Sequence, residues 1–278
     1  MFSTIWPSPA ATLLPTSRAS SVDGAQTLWA LTGFSLALLL GFAAASTLDP
    51  RTLDGANVWL KPAKFALSFG VLFATLALVV ERLTLSVRQG WPMRITLAAM
   101  VVATWTEMAY IGGRAGSGLA SHFAVGTPLE ATLYGLMGLG AVTLVAGIGV
   151  IGWLAGRDTA ADLGPGLRLG VRWGFLLSAV LTLGTAGYLS SNNGHFVGVP
   201  SVEAATLPLL GWSGEVGDLR PAHFLALHAM QVLPLLGWWL DRDGRASLRV
   251  LWIAGTLYAT LTVAVFAQAL MGLPLVRL

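Results

Sequence analysis

Seven stretches of this chain are apolar for long enough to cross a bilayer, and no other feature narrows the fold as far. Crossing the hydrocarbon as a helix takes about 20 predominantly apolar residues. Runs of that kind lie at roughly 27–46, 60–80, 94–112, 129–154, 169–190, 222–240 and 249–271. Of the 278 residues 55% are hydrophobic and 10% charged, against about 25% charged in soluble domains. Little chain is left for a soluble domain. The expected fold class is all-α, a polytopic transmembrane bundle of seven helices forming one domain over 27–278, with an outer cap loop at about 190–221.

Residues 1–26 (Pro7, Pro9, Pro15 and many Ser and Thr) read as a flexible cytoplasmic tail. They lack the basic start and short apolar core of a cleaved signal peptide, so the first span is expected to stay as a signal anchor. The bilayer is the implied partner. The net charge of +3 comes mostly from loop arginines, which report orientation rather than nucleic-acid binding. Cysteine is absent, which excludes disulfides, thiolate metal sites and cysteine nucleophiles.

Basic residues sort by loop. Arg18, Arg82, Arg88, Arg94, Arg157, Arg168, Arg172, Arg242, Arg245 and Arg249 fall on one side; Arg51, Lys61, Lys64, Arg114, Arg220 and Arg277 fall on the other. Ten against six predicts a cytoplasmic N-terminus and an outer C-terminus in a multi-pass protein of the bacterial inner membrane.

Small residues recur at helical spacing in three spans. Gly33, Ala37 and Gly41 predict a close-packing face on span 1, and Gly166, Gly170 and Gly174 repeat the device at span 5. Gly147-Ile-Gly-Val-Ile-Gly152 matches a dinucleotide fingerprint letter for letter, but in mid-membrane with no strand before it it reads as helix packing. Thr127-Pro-Leu-Glu130 is a capping box with proline at the first helical position, which makes Glu130 structural.

The polar residues left over gather at the outer end. All four histidines are there: His122 in loop 3–4, His195 in loop 5–6, His223 and His228 in span 6. Lys61, Lys64, Glu107, Arg114, Asp218 and Arg220 join them, and the cytoplasmic halves of the spans hold almost nothing polar. Lys61 and Lys64, the only lysines, share a helical face with Ser68; they either snorkel to headgroups or hold an anion. Glu107 lies about 8 Å short of the outer end of its span at 1.5 Å per residue, a depth at which a carboxylate is costly and by default functional.

Three chemistries suit this set. Histidines with nearby carboxylates fit zinc or another divalent metal, with an open position for water; the ligands would come from His122, His195, His223 and His228. His223 and His228 are five apart, about 140° around a helix, so both reach one ion only if the helix start is unwound. Haem held by two histidines near the outer face is the alternative cofactor. Without either, Lys61, Lys64, Arg114 and Arg220 could grip a phosphate or carboxylate while histidine acts as acid or base.

Trp59-Leu-Lys-Pro-Ala-Lys-Phe65, Arg114 with Ser121-His-Phe123, Gly194-His195 and Gly217-Asp-Leu-Arg-Pro-Ala-His-Phe-Leu-Ala-Leu-His228 resemble segments of a family of bacterial multi-span membrane proteins. That resemblance implies a setting and carries no mechanism. Seven helices with a histidine-rich end are also similar to the ceramidase and adiponectin-receptor-like hydrolases, which implies zinc between helices; this chain departs from them in having no His-x-x-x-His in span 7.

Two functional readings follow. One is a metal-dependent, hydrolase-like enzyme acting on a lipid or amphipathic small molecule, with Glu107, Asp218 and His228 as catalytic groups and Lys61, Lys64, Arg114 and Arg220 binding substrate. The other is a transporter, a sensor or an accessory subunit of a larger membrane complex, assembled through helix–helix contacts and associated with haem or pigment.

Overall fold

Each apolar run folds as one helix because a bilayer leaves backbone polar groups no partner except one another. The computed structural model describes residues 23–53, 55–192, 194–201, 203–208, 210–244 and 247–278. Seven of its helices are long and apolar enough to cross a membrane: α1 (Gly24–Leu48), α2 (Leu60–Val80), α4 (Trp91–Gly116), α5 (Pro128–Arg157), α6 (Pro165–Ser191), α7 (Arg220–Arg242) and α8 (Leu248–Leu270). A one-turn helix, α3 (Leu85–Arg88), sits between α2 and α4. The protein is an all-α, multi-pass membrane bundle.

The helices run past the predicted ends. The chain enters α1 at Gly24, with Asp23 accepting from the amide of Ala25 at 2.9 Å, so residues 24–26 of the expected tail are helical. Residues 1–22 lie outside the described residues. α4 continues to Gly116, which places Glu107 nine residues from its end, about 14 Å along the axis rather than the expected 8 Å.

The core lies where α1, α2, α4, α5 and α6 meet, around Leu28, Phe73, Leu76, Met100, Ile148, Ile151 and Phe175. Large side chains such as Leu40, Trp105, Leu139 and Leu257 face outward. In a bundle immersed in lipid that is the expected inversion of a soluble surface.

The closest pair is α6 on α7. A methyl group added at Gly166 would stand 2.6 Å from the carbonyl oxygen of Gly237, and one at Gly174 would stand 2.7 Å from that of Ala229. One at Gly170 would run into the carbonyl of Leu233. The small-residue seam expected on span 5 is therefore a backbone-to-backbone contact. The fingerprint glycines also pack: Gly147 faces Met100 of α4, and Gly152 faces Phe175 of α6. The stripe on span 1 behaves differently. Gly33 and Gly41 meet nothing within 4 Å, and α1 packs through Leu28, Leu31, Thr32 and Ser35. Small residues permit close approach without drawing a partner to it, and here the bulkier face is the buried one.

Both ends of the bundle are tied by carboxylates. At the end that holds the 81–90 and 158–164 segments, Asp23 pairs with Arg88. Asp158 accepts from the amide and hydroxyl of Thr84 at 2.7 and 2.9 Å. Asp241 of α7 accepts from the amides of Gly166 and Leu167 at 2.7 Å each, meeting the unpaired donors at the start of α6. This end is more polar than the sequence reading held, because these acids lie at helix termini and not within the apolar runs.

At the opposite, cap end, β1 (Thr52–Leu53) and β2 (Ala56–Asn57) form a hairpin between α1 and α2. There the Arg51 guanidinium, with the Trp59 indole, holds the Asp49 carboxyl well below the usual carboxylate range. Between α6 and α7, β3 (Phe196–Val197) pairs antiparallel with β4 (Gly217–Asp218), and Thr206 bridges to Ser213.

Candidate functional site

Asp218 and Arg220 organise the cap. The Asp218 side chain has no exposed surface and pairs with Arg220 at 2.6 Å. It also accepts from the backbone amides of Ser213 at 2.9 Å and Arg220 at 3.0 Å. Arg220 donates onward to the carbonyl of Gly211 at 2.6 Å and lies over the ring of Phe196. These contacts tie Phe196, Gly211 and Ser213 to Asp218 and Arg220, where the cap meets the start of α7. Both side chains are engaged in building the cap.

Arg114 has a similar occupation. It donates to the carbonyl of Ala120 at 2.8 Å and pairs with Glu130 at 3.0 Å. Glu130 in turn closes the capping box with Thr127, whose hydroxyl accepts from the Glu130 amide at 3.2 Å. The loop carrying His122 is thus fixed from both sides.

His122 packs among Phe65 of α2, Phe123 and Tyr134 of α5, with Nδ1 at 3.0 Å from the Ser121 hydroxyl. Burial, and then the charge of Lys61, push its pKa down to about 3. The His195 ring lies tilted against that of Phe196 at 4.1 Å, and the residue's carbonyl accepts from Leu219 at 2.9 Å. Its pKa is lowered by burial, then by Arg220, with Asp218 opposing and Lys61 adding a smaller push. Both rings are neutral at pH 7. Lys61, at the start of α2, therefore lies within electrostatic reach of two histidines on different loops.

The histidines of α7 are placed otherwise. His223 Nδ1 is 3.3 Å from the Thr185 hydroxyl of α6. That hydroxyl already donates to Leu181 at 2.9 Å, so the ring is placed to donate to it. His228 Nδ1 donates to the carbonyl of Phe224 at 2.7 Å, with the ring stacked on Phe224 at 3.9 Å. Helix α7 is continuous from Arg220 through His228, so the unwinding that would turn both rings toward one ion does not occur. Among the described residues no group of three His, Asp or Glu side chains is placed to hold a metal.

Glu107 stands apart from these residues. It is 5% exposed, and among the described residues its Oε1 has no hydrogen-bond partner. A methyl group at Gly140 of α5 would stand 2.7 Å from that oxygen. Tyr110, one turn further along α4, also has a buried hydroxyl with no partner among the described residues. Lys64 is exposed on the first turn of α2.

The structure thus brings Lys61, His122, His195 and Arg220 to one end and leaves Glu107 deep in the bundle. Thr185, Phe65 and Gly140 were missed from the sequence. Thr and Phe at those positions look like ordinary span residues, and Gly140 is one of 33 glycines. Tyr110 was detectable, three residues from an intramembrane carboxylate.

What these helices define is a class: a multi-pass membrane protein in contact with lipid, with a polar cap at one end. No family model, no curated protein and no solved structure matches the chain, so its function is argued from its own residues.

Proposed function

We propose that this chain is a bacterial inner-membrane protein whose outer, cap end holds an anionic amphipathic small molecule. The reading rests on the shared reach of Lys61 to His122 and His195. An ammonium within electrostatic reach of two neutral imidazoles on separately anchored loops offers a full charge and two hydrogen-bonding rings at one end of the bundle, a set suited to a phosphate or carboxylate headgroup. The apolar remainder of such a ligand would lie along the outward-facing helix surfaces. The enzymatic form of the reading is hydrolysis of the headgroup, with an imidazole taking a proton from the attacking water; His195 is the candidate, because His122, held to about 3, is too weak a base at neutral pH.

The test is binding to the full-length protein in detergent. Native mass spectrometry with phosphatidylglycerol against phosphatidylcholine, and calorimetry with inorganic phosphate, separate a lipid headgroup from a free anion. Losing one charge-assisted contact is worth about 1.5–3 kcal/mol, so Lys61→Gln is expected to weaken anion binding by about tenfold or more. Unchanged binding in that variant would defeat the proposal. Elemental analysis of the same preparation checks the metal-dependent version: about one zinc per chain would make the site a metal centre.

A further inference from the structure

Among the described residues Glu107 is the one carboxyl set within a membrane-spanning helix away from its ends, and the helices around it supply no charge to meet it. α4 packs on α1, α2 and α5, and on α3 at the far end. α1 has no titratable side chain between Gly24 and Leu48. α2 has Lys61 and Lys64 in its first turns and none from Phe65 to Val80. α5 has Glu130 and Tyr134 at the cap end, then none until Arg157. On α3, Arg88 is paired with Asp23 at the other end. On α4 itself the nearest titratable groups are Tyr110 and Arg114, with Arg94 near the far end.

An ionised carboxylate without countercharge or hydrogen bonds is among the costliest groups to bury. Yet the site looks made for a carboxyl. The opposing residue is Gly140, where any side chain would displace Oε1. Thr104, with its hydroxyl bonded to its own helix at Met100, closes the inner side one turn away. On the outer side Glu107, Tyr110 and Arg114 fall at i, i+3 and i+7, one face of α4. That stripe ends at the Arg114–Glu130 pair of the cap.

We propose that Glu107, seated against Gly140 and continued outward by Tyr110 and Arg114, is a proton-binding site inside the bundle. It holds its carboxyl as the neutral acid, and the unpartnered Tyr110 hydroxyl is the first step by which that proton exchanges with the cap end. The site is separate from the cap-end anion site and stands whether or not that one binds a ligand.

Infrared difference spectroscopy on the full chain in lipid bilayers at neutral pH reads this directly. Subtracting the isosteric Glu107→Gln variant should reveal a protonated-carboxyl carbonyl band; a difference showing carboxylate bands instead would overturn the proposal. Transfer to heavy water should shift that band, and Tyr110→Phe should slow the shift about tenfold. An unchanged rate would remove Tyr110 and the outward route. Gly140→Ala should displace the band, whereas Gly138→Ala, which meets nothing within 4 Å, should not; a band unmoved by the first of these would refute the seating.

Discussion

Replacing Asp218 with asparagine separates a structural carboxylate from a catalytic one. In the native cap its two oxygens accept from the amides of Ser213 and Arg220 and from Nε and Nη2 of Arg220 at 2.9 and 2.6 Å. Asparagine keeps the shape, removes the charge and turns one acceptor into a donor that faces a donor. Breaking a buried ion pair by altering one partner costs about 3–5 kcal/mol. The Arg220 side chain keeps 31% of its surface exposed, so water recovers part of that loss, and about 2 kcal/mol is the working figure. At about 1.4 kcal/mol per tenfold the cap should open about 30 times more often. Hydrogen exchange followed by mass spectrometry tests this on the peptides spanning the β3–β4 pair and the Leu219 amide bonded to His195. Peptides from the α6–α7 seam serve as the internal control. Unaltered protection of the cap in Asp218→Asn, together with loss of anion binding, would refute the argument and return the carboxylate to chemistry.

Two further outcomes follow from burial. His122 ordinarily titrates near 6.5 and is held to about 3 in the fold; the unfolded chain therefore binds its proton first. Stability attributable to this ring is intact above about 6.5 and falls as pH drops toward about 3, by at most about 1.4 kcal/mol per pH unit. Acid unfolding of His122→Asn should be correspondingly flatter, and identical curves would show that the ring is not buried against protonation. In the α6–α7 seam, Gly170→Ala places a methyl on the Leu233 carbonyl and should destabilise by about 1–3 kcal/mol in detergent unfolding, while Gly138→Ala stays within about 0.5 kcal/mol.

The spans were legible because their signal is length and apolarity, which depend on the chain alone. Their ends were not: α4 runs past the expected end of its span at 112 and stays helical to Gly116. The seam at Gly166, Gly170 and Gly174 and the stripe at Gly33, Ala37 and Gly41 look alike in sequence, yet only the first meets a backbone. Spacing defines a face without saying what lies opposite. The cap-end residues were visible as rare polar types in an apolar chain. Which of them were committed to one another was hidden, since Asp218 with Arg220 and Arg114 with Glu130 are pairings that only the folded loops reveal. The seat of Glu107 was hidden for the same reason, because Gly140 lies on another helix.

The lock that closes the cap is made almost wholly of near neighbours. Asp218 reaches Ser213 and Arg220, and Arg220 reaches Gly211, none more than nine positions away. The α6–α7 seam, by contrast, joins residues 55 to 71 positions apart along the chain. Closing a short loop costs little chain entropy, and local contacts form fast. The segment from 211 to 220 can therefore take its final shape while the ribosome is still delivering α7. It would then arrive at the bundle as a finished plug for α6 to dock against, with the order of assembly written into the distance between partners.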